Sequence, residues 1–94
     1  MIKEKFEYAK KTADTFFVDH LSNDKDKIKV EFYHDLLGYY RLRVTITINE
    51  AEFTSYFNPD LDYEEFKEKL KFTIEKTYRK YYEKFEYILD EDEE

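Results

Sequence analysis

The two histidines are the side chains best suited to chemistry in this chain, and each stands beside an acid. The pairs read Asp19-His20 and His34-Asp35. Imidazole and carboxylate groups together could hold a metal ion if the end of the first helix met the end of the first strand. Histidines at the ends of helices and strands are more often ordinary surface residues. We therefore expect no metal site.

The remaining candidates for catalysis lack the surroundings that catalysis needs. Ser22 and Ser55 have no glycine-rich elbow around them, and a chain with a single glycine cannot form a phosphate-binding loop or a dinucleotide fingerprint. The chain has no cysteine for a nucleophile or a metal ligand. Paired carboxylates such as Glu64 and Glu68 are typical of a solvated helix face. The sequence thus predicts a protein that is not an enzyme and uses no cofactor.

Periodicity predicts the elements that must position any functional residue. Apolar residues spaced by three and four predict the first helix, strict alternation predicts three strands, and an acid-x-x-Glu start predicts the last helix. The predicted ranges are 2–21, 28–34, 39–49, 51–57 and 62–89. We expect a single α+β domain over residues 1–89, ordered α-β-β-β-α, with both helices packed on one face of a three-stranded antiparallel sheet.

Aromatic residues are more numerous than a core of this size needs. The chain has ten tyrosines and nine phenylalanines among 94 residues. Several rings should therefore lie at the surface, where clustered rings often mark interfaces. The last helix, at about 40 Å, is longer than the sheet, and we expect it to overhang from about Tyr78. The rings of its last turns could belong to the core, with the tyrosine hydroxyl groups reaching solvent. The interpretation that we favour is a set of aromatic anchors for a dimer seam or a partner groove, namely Tyr78, Tyr81, Tyr82 and Phe85.

The predicted open face of the sheet supports two interpretations. It should present Tyr39, Arg41, Arg43 and Tyr56. Tyrosine and arginine dominate binding energetics at interfaces and suit contacts with bases and phosphates. The same residues could instead form a cross-strand ladder that only stabilises the sheet. The sequence leaves both possibilities open.

The net charge of −7 resides mainly in the last five residues. Residues 90–94 carry five of the 23 acids, which leaves 18 acids against 16 bases over the predicted domain. This acidic tail could be a solubilising end or a contact for a basic partner through Asp90, Glu91 and Asp92. An acidic chain makes direct binding to a phosphate backbone less favourable.

The element order is similar to that of the double-stranded-RNA-binding domain family. That family opens its second helix with a lysine cluster, whereas this chain reads Asp62-Tyr63-Glu64-Glu65-Phe66 at the same place. Acids there would repel phosphate. The resemblance implies a topology and does not extend to RNA binding.

Small size, surplus acids, surplus rings and the absence of a catalytic set favour an inhibitor or regulator. In size and charge the chain resembles anti-CRISPR and other phage anti-defence proteins, which block nucleases. Glu64, Glu65, Glu68 and the tail would then face the lysines and arginines of a basic nucleic-acid-handling enzyme. One alternative is a nucleic-acid binder that uses the open sheet face. Another is a homodimeric assembly protein, chaperone or immunity protein that dimerises through the last helix.

The start of the chain bears on its location. Residues 1–5 show no signal-peptide pattern, and no run approaches the roughly 20 apolar residues that a membrane span needs. We expect a soluble cytoplasmic protein that does not bind a membrane.

Overall fold

The computed structural model describes residues 2–21 and 23–92, and the side chains of residues 3–21 and 23–84. The chain folds as one domain in the predicted order of helix, three strands and helix. The elements are α1 (Ile2–His20), β1 (Lys27–His34), β2 (Tyr40–Ile48), β3 (Ala51–Phe57) and α2 (Tyr63–Asp92). The predicted fold class is confirmed.

The three strands form one antiparallel sheet with β2 in the centre. The register is unbroken, so that Val30 of β1 lies opposite Val44, which in turn lies opposite Ser55 of β3. The turn between β2 and β3 consists of Asn49 and Glu50, with φ angles of 50° and 71°. Two positive φ values match the right-handed twist of a two-residue hairpin, which is why the strands pair without a bulge.

The core lies between one face of this sheet and both helices. Leu42, Val44 and Ile46 of β2 are completely buried, and alternate residues on the other face are only half-buried. From α2, the side chains of Phe66, Leu70, Ile74 and Thr77 complete the core. From α1, the small side chains of Ala9 and Ala13 are buried, which lets the helix approach its neighbours closely. Burial on one face follows directly from the alternation of apolar and polar residues.

Two contacts fix the start of α2 at the end of the sheet. The Asp62 carboxylate accepts a hydrogen bond of 2.8 Å from the Glu65 backbone N–H, as the predicted helix start requires. The ammonium group of Lys5 in α1 donates to the carbonyl oxygens of Pro59 and Leu61. The loop before α2 is thus held to the first helix.

The course of α2 differs from the prediction in two ways. The helix extends through Asp92, three residues into the predicted acidic tail, and its 30 residues span about 45 Å. The overhang begins about one turn later than predicted, because Tyr78 packs on Phe16 of α1 with ring centroids 5.1 Å apart. Tyr81 also remains on the sheet, with its ring 6.0 Å from that of Phe53. The spacing of apolar residues in α2 shows which face of the helix packs on the domain. It does not show how far along the helix that packing continues.

The long helix makes the molecule elongated. The radius of gyration is 14.8 Å, whereas a compact domain of this length would have about 12 Å. Among the described residues, neither helix combines the length and apolar character that a membrane crossing requires.

Candidate protein-binding surface

The connection between β1 and β2 is a tightly ordered hairpin tip, here defined as residues 35–39. The backbone N–H of Asp35 donates to the carbonyl of Tyr39, and the N–H of Gly38 donates to the carbonyl of Asp35, both at 2.9 Å. Gly38 has a φ of 86°, which a side chain would strain. These bonds close the tip and fix the position of its central residues, Leu36 and Leu37.

The side chain of Asp35 also stabilises the hairpin tip, because its carboxylate accepts hydrogen bonds from neighbouring residues. One oxygen accepts hydrogen bonds of 2.9 Å from the N–H groups of Leu37 and Tyr39, and the other accepts one of 3.2 Å from Nε of Arg41. Desolvation raises the pKa of this carboxyl, but the two N–H groups and the arginine together outweigh it. The pKa of Asp35 therefore lies below its ordinary value of 3.8.

This ordered tip presents apolar side chains to solvent. Leu36 is fully exposed, Leu37 is 82% exposed and Tyr39 is 61% exposed. Tips of hairpins usually carry polar residues or glycine, since exposed leucine gains nothing from folding. Adjacent exposed apolar residues on a structured loop are typical of a binding site.

The hairpin tip shares one end of the molecule with the acidic start of α2. A cleft of about 340 Å³ separates them, lined by Lys5, Tyr39, Tyr40, Asn58 and Asp60. Beyond the cleft stand the exposed side chains of Asp62, Glu64 and Glu65. Glu64 forms an ion pair of 3.1 Å with Lys67 but remains largely exposed. We call this combination of hairpin tip, cleft and acids the tip end.

Glu68 lies one turn further along α2 than Glu64. It lines a second cleft of about 490 Å³ together with Asn58, Leu61, Glu65, Lys69 and Phe72. The predicted acidic residues Glu64, Glu65 and Glu68 thus lie close together along the start of α2.

The open sheet face forms a ladder of internal contacts. Arg43 donates to Glu31 across the strands at 3.0 Å, and its guanidinium lies 5.0 Å from the centre of the Tyr33 ring. Tyr33 in turn contacts Tyr56, with centroids 6.3 Å apart. The hydrogen bond from Arg43 lowers the pKa of Glu31 below its ordinary value and raises the pKa of Arg43.

Arg41 is engaged in the same way. Its Nε is bound to Asp35, and its guanidinium lies 5.8 Å from the centre of the Tyr39 ring. Both arginines of the face therefore already have carboxylate partners. The observed contacts are those of the stabilising ladder that the sequence left open as one of two interpretations.

Three of the predicted aromatic anchors of α2, Tyr78, Tyr81 and Tyr82, form a cluster at the opposite end from the hairpin tip. The hydroxyl groups of Tyr78 and Tyr82 lie 2.7 Å apart, and Tyr81 accepts a hydrogen bond of 2.8 Å from the Asn49 amide. Burial, followed by the bond to Tyr82, raises the pKa of Tyr78 to about 12. Tyr82 is exposed, whereas Tyr78 and Tyr81 are half-buried. Their role in binding a partner stays a prediction.

Other predicted contact residues fall outside the described side chains. These are Phe85, Asp90, Glu91 and Asp92, of which only the helical backbone is described.

The two histidines belong to separate aromatic clusters. His20 contacts the rings of Phe16 and Tyr78, at 4.4 and 5.5 Å between centroids, while His34 contacts Tyr40 at 4.8 Å. Within the described residues, no group of three or more histidine and acidic side chains is arranged to hold a metal ion.

The residues that sequence reasoning missed are Leu36 and Leu37. Two adjacent leucines occupy the middle of a predicted turn, where polar residues are the rule. The presence of leucines in a turn was therefore the sequence signal that could have identified these two residues. Comparisons of this chain with protein-family models, curated proteins and solved structures find no match.

Proposed function

We propose that this protein is a non-catalytic inhibitor or regulator that binds another protein through the tip end. Leu36 and Leu37 enter an apolar pocket on that protein, and the acids at the start of α2 face its basic residues. The observation that carries the proposal is the hairpin tip itself, in which the Asp35 carboxylate binds the backbone N–H groups of Leu37 and Tyr39 while Leu36 and Leu37 expose their side chains.

Order in the tip favours binding for a thermodynamic reason. A flexible loop loses conformational entropy when it binds, and a loop that is already fixed avoids most of that cost. Burial of each leucine contributes about 1.5–3 kcal/mol relative to its exposed state. A small contact area could therefore still support specific binding, with the leucines as its anchors.

The acids indicate the chemistry of the partner. Asp60 lines the cleft together with Tyr39 of the hairpin tip, and the exposed residues Asp62, Glu64 and Glu65 follow it along the chain. Acidic groups around an apolar anchor favour a partner with a pocket rimmed by lysine and arginine, and they speed association with it. Basic rims of this kind occur where proteins hold phosphate backbones. The proposed partner class is therefore a nucleic-acid-handling enzyme, whose substrate site the protein would block.

Direct nucleic-acid binding through the sheet receives less support. The open face carries four basic and three acidic residues, namely Lys27, Lys29, Arg41, Arg43, Glu31, Asp35 and Glu52. Its net charge is only +1, and both arginines are bound to carboxylates. A phosphate would have to displace these internal partners before it could bind.

The test is affinity capture from the source cell with three forms of the full chain. Wild type is compared with the Leu36→Asp/Leu37→Asp variant and with Val18→Asp, which changes an equally exposed apolar residue away from the tip end. We expect wild type and Val18→Asp to retain one basic nucleic-acid-binding protein, and the tip variant to lose it. Purified protein should then inhibit that partner, and added nucleic acid should compete with it.

Two results would contradict the proposal. Retention of the same partner by the tip variant would show that the leucines are not the contact. A partner that neither binds nucleic acid nor carries a basic surface would remove the proposed class of target.

A further inference from the structure

The outer surface of the helix layer carries a groove between α1 and α2, separate from the tip end. The groove encloses about 360 Å³. Tyr8 and Phe16 of α1 line it and also pack against the core, so its walls are apolar and fixed in place. A fixed apolar groove between two helices is the geometry that receives the apolar face of a third helix.

The groove also carries a surplus of positive charge. Lys11 of α1 and Lys71 of α2 line its two sides, and His20 lies at one end. Among the described side chains, neither lysine takes part in an ion pair. Asp19 is the sole acid that lines the groove in this part of the structure. The ligand that complements this surface is an amphipathic helix with acidic residues.

The C-terminal part of α2 has that composition. Phe85, Ile88 and Leu89 follow one another at spacings of three and one, and Asp90, Glu91 and Asp92 come directly after them. The last turn of the helix contains no basic residue. Acids at this end lie at the negative pole of the helix dipole, which is unfavourable unless an external cation compensates them.

The same helix cannot place this segment in its own groove. Tyr81 makes the last described contact between α2 and the rest of the chain. The helix then continues for 11 residues through Asp92, which carries its end about 16 Å further along the same axis. A continuous helix does not turn back by itself. The C-terminal part of α2 can therefore reach this groove only on another molecule.

We infer that the α1–α2 groove of one copy binds the C-terminal part of α2 from a second copy. A two-fold axis makes the exchange reciprocal, so each copy supplies one helix end and one groove. Lys11 and Lys71 of the groove then compensate Glu86 and Glu91 of the incoming helix, which the helical period places on the two flanks of the stripe formed by Phe85, Ile88 and Leu89. The apolar residues of that helix cover Tyr8 and Phe16.

The test is sedimentation equilibrium of the full chain at concentrations up to about 1 mM, at low and at high salt. Wild type is expected to form a dimer that salt weakens. Lys11→Glu/Lys71→Glu should raise the dimer Kd by at least about tenfold. The control is Lys10→Glu/Lys69→Glu, which makes the same charge change on the same helices outside the groove, and it should leave the Kd unchanged.

A charge-swapped chain supplies the decisive comparison. Adding Glu86→Lys and Glu91→Lys to the groove variant restores opposite charges across the contact, and dimerisation should return. A monomer at every wild-type concentration would overturn the inference. So would a dimer that the groove variant leaves intact, or a swapped chain that fails to recover. The Leu36→Asp/Leu37→Asp variant should still dimerise, which separates this surface from the tip end.

Discussion

Two buried hydroxyl groups in the core differ in how they are satisfied. The Thr77 hydroxyl donates a hydrogen bond of 2.7 Å to the carbonyl of Thr73, one turn earlier in α2. The Ser55 hydroxyl on β3 is also buried, yet it has no hydrogen-bond partner among the described residues. A buried polar group without a partner loses its bonds to water and gains none in return. Ser55 therefore reduces the stability of the fold.

Replacement of Ser55 by alanine should increase the free energy of unfolding by about 1 kcal/mol, because the unpaired hydroxyl is removed and little volume is lost. Urea unfolding of both proteins measures the difference. Thr77→Val is the matched control, since it removes a hydroxyl that is hydrogen-bonded, and it should bring no gain. A Ser55→Ala protein less stable than wild type would mean that the hydroxyl has a favourable contact.

At the level of elements, the sequence predicted what depends on local periodicity. Alternation in β2 assigned Leu42, Val44 and Ile46 to the buried face, and all three are completely buried. The predicted start of α2 is also confirmed, because the Asp62 cap is a contact within four residues. The end of packing along α2 lies about one turn beyond the predicted position. It depends on Phe16 and Phe53, which are distant in sequence and approach α2 only in the folded molecule.

One phenylalanine joins α2 to the sheet. The Phe66 ring is completely buried, with centroids 5.8 Å from Phe57 and 6.3 Å from Phe32. We expect Phe66→Ala to lower the free energy of unfolding by about 3–5 kcal/mol through lost burial and a residual cavity. Phe72 on the same helix is 54% exposed, and Phe72→Ala should change stability by about 0.5 kcal/mol or less.

Denaturant unfolding of the two phenylalanine variants gives this comparison directly. Similar losses for both would contradict the assignment of Phe66 to the core and Phe72 to the surface. A loss at Phe66 near the upper value would leave a domain of this size close to unfolding, since small domains have only about 5–15 kcal/mol in total.

At the scale of the whole molecule, the predicted contact residues occupy three separate surfaces. Tyr39 lies at the tip end, where Glu64 and Glu65 begin α2; Arg43 and Tyr56 lie in the sheet ladder; and Tyr78, Tyr81 and Tyr82 lie at the opposite end. Residue type suggested that each could bind a partner. Their grouping could not be predicted, because it depends on which ends of the strands and helices the fold brings together.

Tyr78 joins both helices at the end opposite the hairpin tip, and it links the stability of the molecule to alkaline pH. The pKa of Tyr78 is about 12 in the folded protein, whereas an unperturbed tyrosine, as in the unfolded chain, has a pKa of 10.0. The raised value means that the folded state favours the neutral phenol, so this contribution to stability is complete below pH 10. It is lost as pH rises from 10 towards 12, because the unfolded chain ionises first.

We expect the free energy of unfolding to decrease across that pH range, and urea titrations at successive pH values measure the decrease. Tyr78→Phe removes the titrating phenol while it keeps the ring against Phe16. The variant should therefore show a shallower decrease than wild type. Tyr39→Phe is the control, because Tyr39 is exposed and lies away from the contact between α1 and α2. Equal slopes for wild type and Tyr78→Phe would show that the α1–α2 contact does not depend on a neutral Tyr78, and the pH sensitivity would then arise from other groups.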